Sequence, residues 1–217
     1  MALDRNFFRK VMGQFATGVT IATTRSSEGI AGLTVNSFTS VSLDPLLVLI
    51  CVDLRSQALS FFRAGGIFAV NILNSQQEAL SNCFATSSEE RYTHFCHADY
   101  QTAATGAPIL DGSLAFIDAR ITAEYPGGDH AIFMGQIEAM GYEGQVLFLP
   151  GASKDLCTLP LVPDTANPIS SNGHSAAEKT RQSPLLYYRG EYHHLSGHYH
   201  HEHPDLTTTP GTHEQQN

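Results

Sequence analysis

The chain has 217 residues, 12 of them basic and 21 acidic for a formal net charge of -9, and 42% are apolar, which suffices for one domain core without disulfides. The negative balance excludes a nucleic-acid binder that works by neutralising phosphates, and a polybasic membrane-surface protein. No apolar run is long enough to span a bilayer, and Met1-Ala2-Leu3-Asp4-Arg5-Asn6 lacks the basic and apolar regions of a secretion signal, so the expected compartment is the cytoplasm.

In chain order, Asp4 is placed to cap a helix whose Phe7, Phe8, Val11, Met12 and Phe15 recur at helical spacing, with Gly18 at its exit. Val19–Thr24 is a β-branched, alternating strand, and Ser26–Gly29 is a turn. A second strand is expected through Leu33 to Val41, broken by Asp44-Pro45. Leu46–Val52 is an apolar strand buried on both faces. Ser56 is expected to cap a short helix through Ala58, Leu59, Phe62 and Arg63, ended by Gly65-Gly66. Phe68–Leu73 is a further strand, and Ser75-Gln76-Gln77-Glu78 has capping-box spacing before a helix carrying Leu80, Cys83 and Phe84 on one face.

The stretch from Ala85 to Gly112 reads as polar and loop-like. Beyond it Ala115, Ile117, Ala119, Ile121 and Ala123 share one strand face, against Phe116, Asp118, Arg120, Thr122 and Glu124 on the other. Pro126-Gly127-Gly128-Asp129 is a turn, and His130 to Met140 is the returning strand. Prolines 160, 163 and 168 with Ser, Asn and Gly between Pro150 and Pro184 indicate a flexible insertion over 151–183. Leu185–Tyr188 resumes a strand, Arg189-Gly190-Glu191-Tyr192 is turn-like, and the polar, histidine-rich residues 196–217 form a disordered tail. Many short strands with a few helices predict a mainly β, antiparallel barrel with peripheral helices. Cys51, Cys83, Cys96 and Cys157 are scattered without a C-x-x-C pair and are expected to be reduced thiols packed as small hydrophobes.

Two segments carry candidate chemistry. Asn36-Ser37-Phe38-Thr39-Ser40-Val41-Ser42 places four hydroxyls and an amide within seven residues. That is either the polar face of an exposed edge strand or a wall for a ring with a polar edge and apolar faces, such as an isoalloxazine. Asp53-Leu54-Arg55-Ser56 precedes a helix, so it is either an ordinary capped start or a phosphate site using free N–H groups, the helix dipole and Arg55.

Taken in order, Phe15-Ala16-Thr17-Gly18-Val19-Thr20, Gly32–Ser42, Asp44-Pro45-Leu46-Leu47-Val48, Phe68–Leu73, Phe84-Ala85, Tyr125-Pro126-Gly127-Gly128-Asp129-His130 and Pro184–Tyr192 resemble the flavin reductase family. The resemblance covers most of residues 5–148 and 184–195. It implies an FMN-binding split β-barrel with Greek-key character over residues 1–195. Thr34, Val35, Asn36, Ser37 and Ser40 would line the flavin ring and ribityl chain, and Asp53, Leu54, Arg55 and Ser56 the phosphate end. Phe84, Ala85 and Thr86 would close that pocket. Gly128, Asp129 and His130, with Tyr187, would meet the nicotinamide nucleotide. His130 is then the catalytic candidate, as a ring contact and not an obligatory proton donor.

The implied activity is hydride transfer from NADH or NADPH to FMN or FAD in a homodimer, with reduced flavin passed to a monooxygenase component. Direct hydride transfer needs no acid–base dyad, and the sequence offers none. The alternatives are a flavoprotein that keeps FMN and reduces another acceptor, and a non-catalytic flavin- or haem-binding barrel. A third is a metal-storage role led by His193, His194, His198, His200, His201 and His203. The histidines lack a carboxylate or thiolate cage of fixed spacing, and His94, Cys96 and His97 read as chance or packing.

Overall fold

The computed structural model describes residues 4–160 and 183–195. Helix α1 is Arg5–Met12, and the Asp4 carboxylate accepts from the Asn6 N–H at 2.9 Å, so the expected cap forms. The strands that follow are β1 (Thr17–Gly18), β2 (Thr20–Ser26), β3 (Gly29–Val35), β4 (Thr39–Leu43) and β5 (Leu46–Asp53). Helix α2 (Ala58–Gly65), strand β6 (Ile67–Ile72), helix α3 (Glu78–Ala85) and helix α4 (Glu89–Tyr92) come next. The remaining strands are β7 (Tyr100–Gln101), β8 (Ile109–Leu110), β9 (Ala115–Gly127), β10 (His130–Tyr142), β11 (Gln145–Phe148), β12 (Leu185–Tyr188) and β13 (Glu191–His194).

Eight strands make one antiparallel sheet in the order β3-β2-β6-β9-β10-β5-β4, with β11 on β10. Strands β1-β12-β13 form a small second sheet, and β7 pairs with β8. The chain is therefore mainly β and antiparallel with few helices, as expected. Its largest core lies between α2 and the main sheet, where Phe62 stacks on Phe133 with ring centroids 5.9 Å apart, among Leu33, Val48, Ile50 and Phe68. No helix among the described residues is long and apolar enough to cross a membrane.

Several expectations are corrected. The single strand from Leu33 to Val41 is two, because Ser37 Oγ accepts from Cys51 N at 3.0 Å and donates to Cys51 O at 3.3 Å, carrying the chain from β3 across to β5. The capping box opens one residue earlier, at Asn74: its carboxamide oxygen accepts from Gln76 N, and Gln77 Oε1 accepts from Asn74 N. Residues 102–110, expected as exposed loop, are buried throughout. Buried polar groups reach out to that loop: Asp118 receives the Thr105 N–H at 2.8 Å and the Thr105 hydroxyl, and Asn71 Oδ1 receives Leu110 N at 2.8 Å. Phe116 and Asp118 are thus buried, on the face of β9 opposite Ala115, Ile117 and Ala119. Only Arg189-Gly190 makes the last turn, Glu191 already being in β13.

Cys83 and Cys96 are not reduced thiols: α3 and the turn at Phe95–His97 bring their Cα atoms to 6.1 Å, and the sulfurs are bonded. Cys51 and Cys157 are free, as expected. Most of the expected insertion and all of the tail from residue 196 lie outside the described residues.

Candidate functional site

Pairing of β5 with β10 sets His130 opposite Asp53, and Leu54 N donates to Asp129 O at 3.0 Å. The register depends on a two-residue turn in which Gly128 takes φ +74, a left-handed value that a side chain disfavours. Two segments separated by more than seventy residues thereby form one charged corner. The Asp53 carboxylate accepts from Arg55 N at 2.8 Å, from Nε at 3.1 Å and from Nη2 at 2.7 Å. These bonds hold Asp53 well below the usual carboxylate range, and the same pairing raises Arg55. Asp129 Oδ1 lies 2.8 Å from His130 Nδ1, which lowers the Asp129 carboxyl. Arg55 is thus committed to Asp53, not extended as a free cation toward a phosphate. Ser56 Oγ accepts from Ala58 N at 3.3 Å at the start of α2.

The chain from Asn36 into β4 is polar and open. Ser37 is spent on Cys51, but the side chains of Asn36 and Ser40 are exposed and make no hydrogen bond among the described residues. Ser40 pairs with Val48 of β5, while Leu54, an apolar side chain left 48% exposed, follows the far end of that strand. Free amide and hydroxyl groups on an exposed segment fit the polar edge of a planar ring.

A second group gathers where the same end of β3 meets α3. Thr34 Oγ1 donates to Ser81 O of α3 at 2.6 Å, and Val35 is buried in the main core. Phe84 is fully buried, edge-to-face on Phe95 with ring centroids 5.0 Å apart. It lies so close to Gly32 that a Cβ there would come within 2.7 Å of the ring. Phe84 is therefore a core side chain, and only Ala85 and Thr86 of that trio face solvent.

Tyr187 has different neighbours. It pairs with Thr17 and Tyr192, its ring 5.5 Å from that of Tyr192, whose hydroxyl lies 2.8 Å from Ser81 Oγ. Ser81 and Tyr192, which tie the last strand to α3 and through Thr34 to β3, were not singled out from sequence. Their only signal is position, on the buried face of the capped helix and in the closing motif.

Among the described residues no group of three His, Cys, Asp or Glu is placed to hold a metal ion. Two open cavities of about 440 and 480 Å³ lie between Pro45, Arg120 and Pro150 and between α1 and the Arg189-Gly190 turn, and none of the expected site residues lines them.

The family model described as flavin reductase like domain matches residues 12–196. The chain is 30% identical over 190 residues to the flavin-dependent monooxygenase, reductase subunit HsaB, of Mycobacterium tuberculosis, covering 88% of this chain and 82% of that protein. It is 34% identical over 157 residues to an NADH-dependent flavin reductase of a Rhodococcus species, covering 68% of this chain and 84% of that one. Among solved structures, the Streptomyces globisporus NADH:FAD oxidoreductase SgcE6 in complex with NAD and FAD fragments is similar with a TM-score of 0.63 and 29% identity, covering 89% of this chain and 93% of that chain.

Proposed function

The chain belongs to the flavin reductase-like domain family, and from that premise we propose that it transfers a hydride from NADH or NADPH to FMN or FAD and supplies the reduced flavin to a monooxygenase component. The observation that carries this reading is the register of β5 against β10, which joins Asp53–Ser56 to Gly128–His130, while the exposed Asn36 and Ser40 lie on the chain that pairs with the other edge of β5. A bound flavin would accept at N5 the hydride that leaves C4 of the dihydronicotinamide.

The chain's own part is positioning. Asn36 and Ser40 meet the polar ring edge, Leu54 covers an apolar face, and Ser37 ties the segment that holds Asn36 and Ser40 to β5. At the phosphate end the contribution is the start of α2 with Ser56, since Arg55 is neutralised by Asp53. His130, held by Asp129, lies against the nicotinamide and orients it without giving up a proton. On the α3 side Thr34 acts through Ser81, and Ala85 and Thr86 offer the open surface.

We read the main sheet as the wall of a split barrel with Greek-key character, in a domain of residues 1–195 followed by a separate tail. The working form is a cytoplasmic homodimer. Helix α1 supports the dimer: it buries none of its residues, and Phe7, Phe8 and Val11 stand 66%, 55% and 52% exposed, an apolar stripe that a second copy would cover, while Phe15, expected on the helix, follows its end at Met12. Tyr187 then meets a nucleotide at the boundary of the two copies.

Anaerobic stopped-flow mixing with NADH or NADPH against FMN or FAD tests the reading. The expected result is bleaching of flavin absorbance at a rate that saturates with both partners. Protein that binds flavin yet leaves it oxidised with either nucleotide refutes it and leaves a passive binder.

A further inference from the structure

The segment after α3 is closed by the bond between Cys83 and Cys96, thirteen residues apart in sequence. It contains Ala85 and Thr86 at the proposed flavin wall and the whole of α4. Its conformation is costly in two places. Phe95, Cys96 and His97 have φ of 50, 53 and 52, three successive non-glycine residues in the left-handed region. Arg91 is only 7% exposed and donates from Nε to Gly32 O at 2.8 Å, but its Nη2 is buried with no partner. Against these costs stand the edge-to-face contacts of the buried Phe95 with Phe84 and Tyr100, the Arg91 guanidinium 4.8 Å from the Tyr92 ring, and a largely exposed pair between His97 Nε2 and Glu90 Oε2 at 2.8 Å. A loop that sets such penalties against these contacts gains from a covalent tie that restricts its open ensemble.

We propose that Cys83 and Cys96 are a reversible thiol–disulfide site, exchanged by dithiol reductants, whose oxidised form latches the end of α3 and the flavin wall it carries. Both cysteines are partly exposed, so a reductant reaches them. A dithiol thiolate attacks one sulfur and the Cys83–Cys96 bond breaks. Two electrons and two protons pass to the pair, which leaves as two thiols, while the dithiol becomes a disulfide. The left-handed turn then relaxes, Phe95 leaves Phe84, and Arg91 moves out to water. Because Phe84 rests on Gly32 and Ser81 O accepts from Thr34, the loss reaches the β3 side of the wall. The effect on flavin rests on the function proposed above; the opening of the loop does not.

The test uses the full chain in oxidised form, after dithiothreitol, and as C83S/C96S, with bridge state read by mass. Arg91 is the only Lys or Arg between the two cysteines, so trypsin cleavage after it, scored on reducing gels, reports opening independently of flavin. Reduction and C83S/C96S are each expected to speed that cleavage about tenfold, since proteolysis follows the open population. Each is also expected to raise the flavin KM about tenfold while leaving the nicotinamide KM within about twofold. Reoxidation with diamide restores the wild-type values, which keeps the test valid if the double variant does not fold. Equal cleavage rates in protein whose bridge is shown to be broken overturn the latch. Faster cleavage with an unchanged flavin KM overturns its link to the wall. Oxidised protein that reduces no flavin sinks the functional reading instead, and the cleavage rates still decide the latch.

Discussion

Asp118 gives the chain a pH dependence whose size follows from its surroundings. The side chain is fully buried, and burial pushes its carboxyl up from 3.8 to about 6, with Glu138 acting in the same direction and hydrogen bonds from Thr105 and Ala104 opposing. Because the folded value lies above the unfolded one, protonation favours the folded state. The contribution is fully present below the unfolded pKa and is lost as pH rises through the folded one. For a rise from 3.8 to about 6, linkage makes the protein on the order of 1 kcal/mol more stable at pH 5 than at pH 7 through this group, and about 3 kcal/mol at the acid limit.

Urea unfolding of wild type and Asp118→Asn at pH 5, 6 and 7 isolates that term, because the two proteins differ only at this side chain. Asp53 and Asp129, with depressed folded values, lose their contributions only as pH falls below the ordinary carboxylate range. The expected result is a wild-type stability that rises relative to the variant by about 1 kcal/mol from pH 7 to pH 5. Parallel curves for the two proteins would refute the assignment of a raised, buried carboxyl at this position.

Ser37→Ala removes both bonds to Cys51 and should cost about 1–2 kcal/mol of stability by urea midpoint, with a higher flavin KM because Asn36 and Ser40 lose their anchor. Ser40→Tyr fills the open surface of the wall without touching the core. Its expected signature is an unchanged melting temperature with flavin KM raised by more than about tenfold, and unaltered flavin binding places the ring elsewhere. Deleting residues 196–217 should leave NADH oxidation with added FMN intact, and a loss of activity would show that the histidine-rich tail takes part.

The legible parts of the site were those with local signals. Asp4 before a run of helical period and the break at Asp44-Pro45 each act within a few residues and appear where expected, and the turn expected over Pro126–Asp129 narrows to Gly128-Asp129 because β9 runs through Gly127. The capping box missed by one residue because Asn74 and Ser75 are both competent caps, and long-range contacts such as the bond from Asn74 Nδ2 to Gly112 O, 38 positions away, favour the first. Residues 102–110 read as loop because Thr, Gly and Pro usually face water. Their burial depends on Asp118, Asn71 and Thr23 supplying partners from three different strands.

The sequence by itself determined the mainly β class, most turns and, through the order of its motifs, the family. The tertiary structure decided what the candidate residues are free to do. It paired Arg55 with Asp53, spent Ser37 on Cys51, put Phe84 in the core and left Asn36 and Ser40 open. It also joined Cys83 to Cys96, which neither spacing nor composition indicated. The physical reason is range: turns, caps and periodicity are set by neighbours along the chain, whereas the partner of a carboxylate, hydroxyl or thiol is set by whichever strand the register brings beside it.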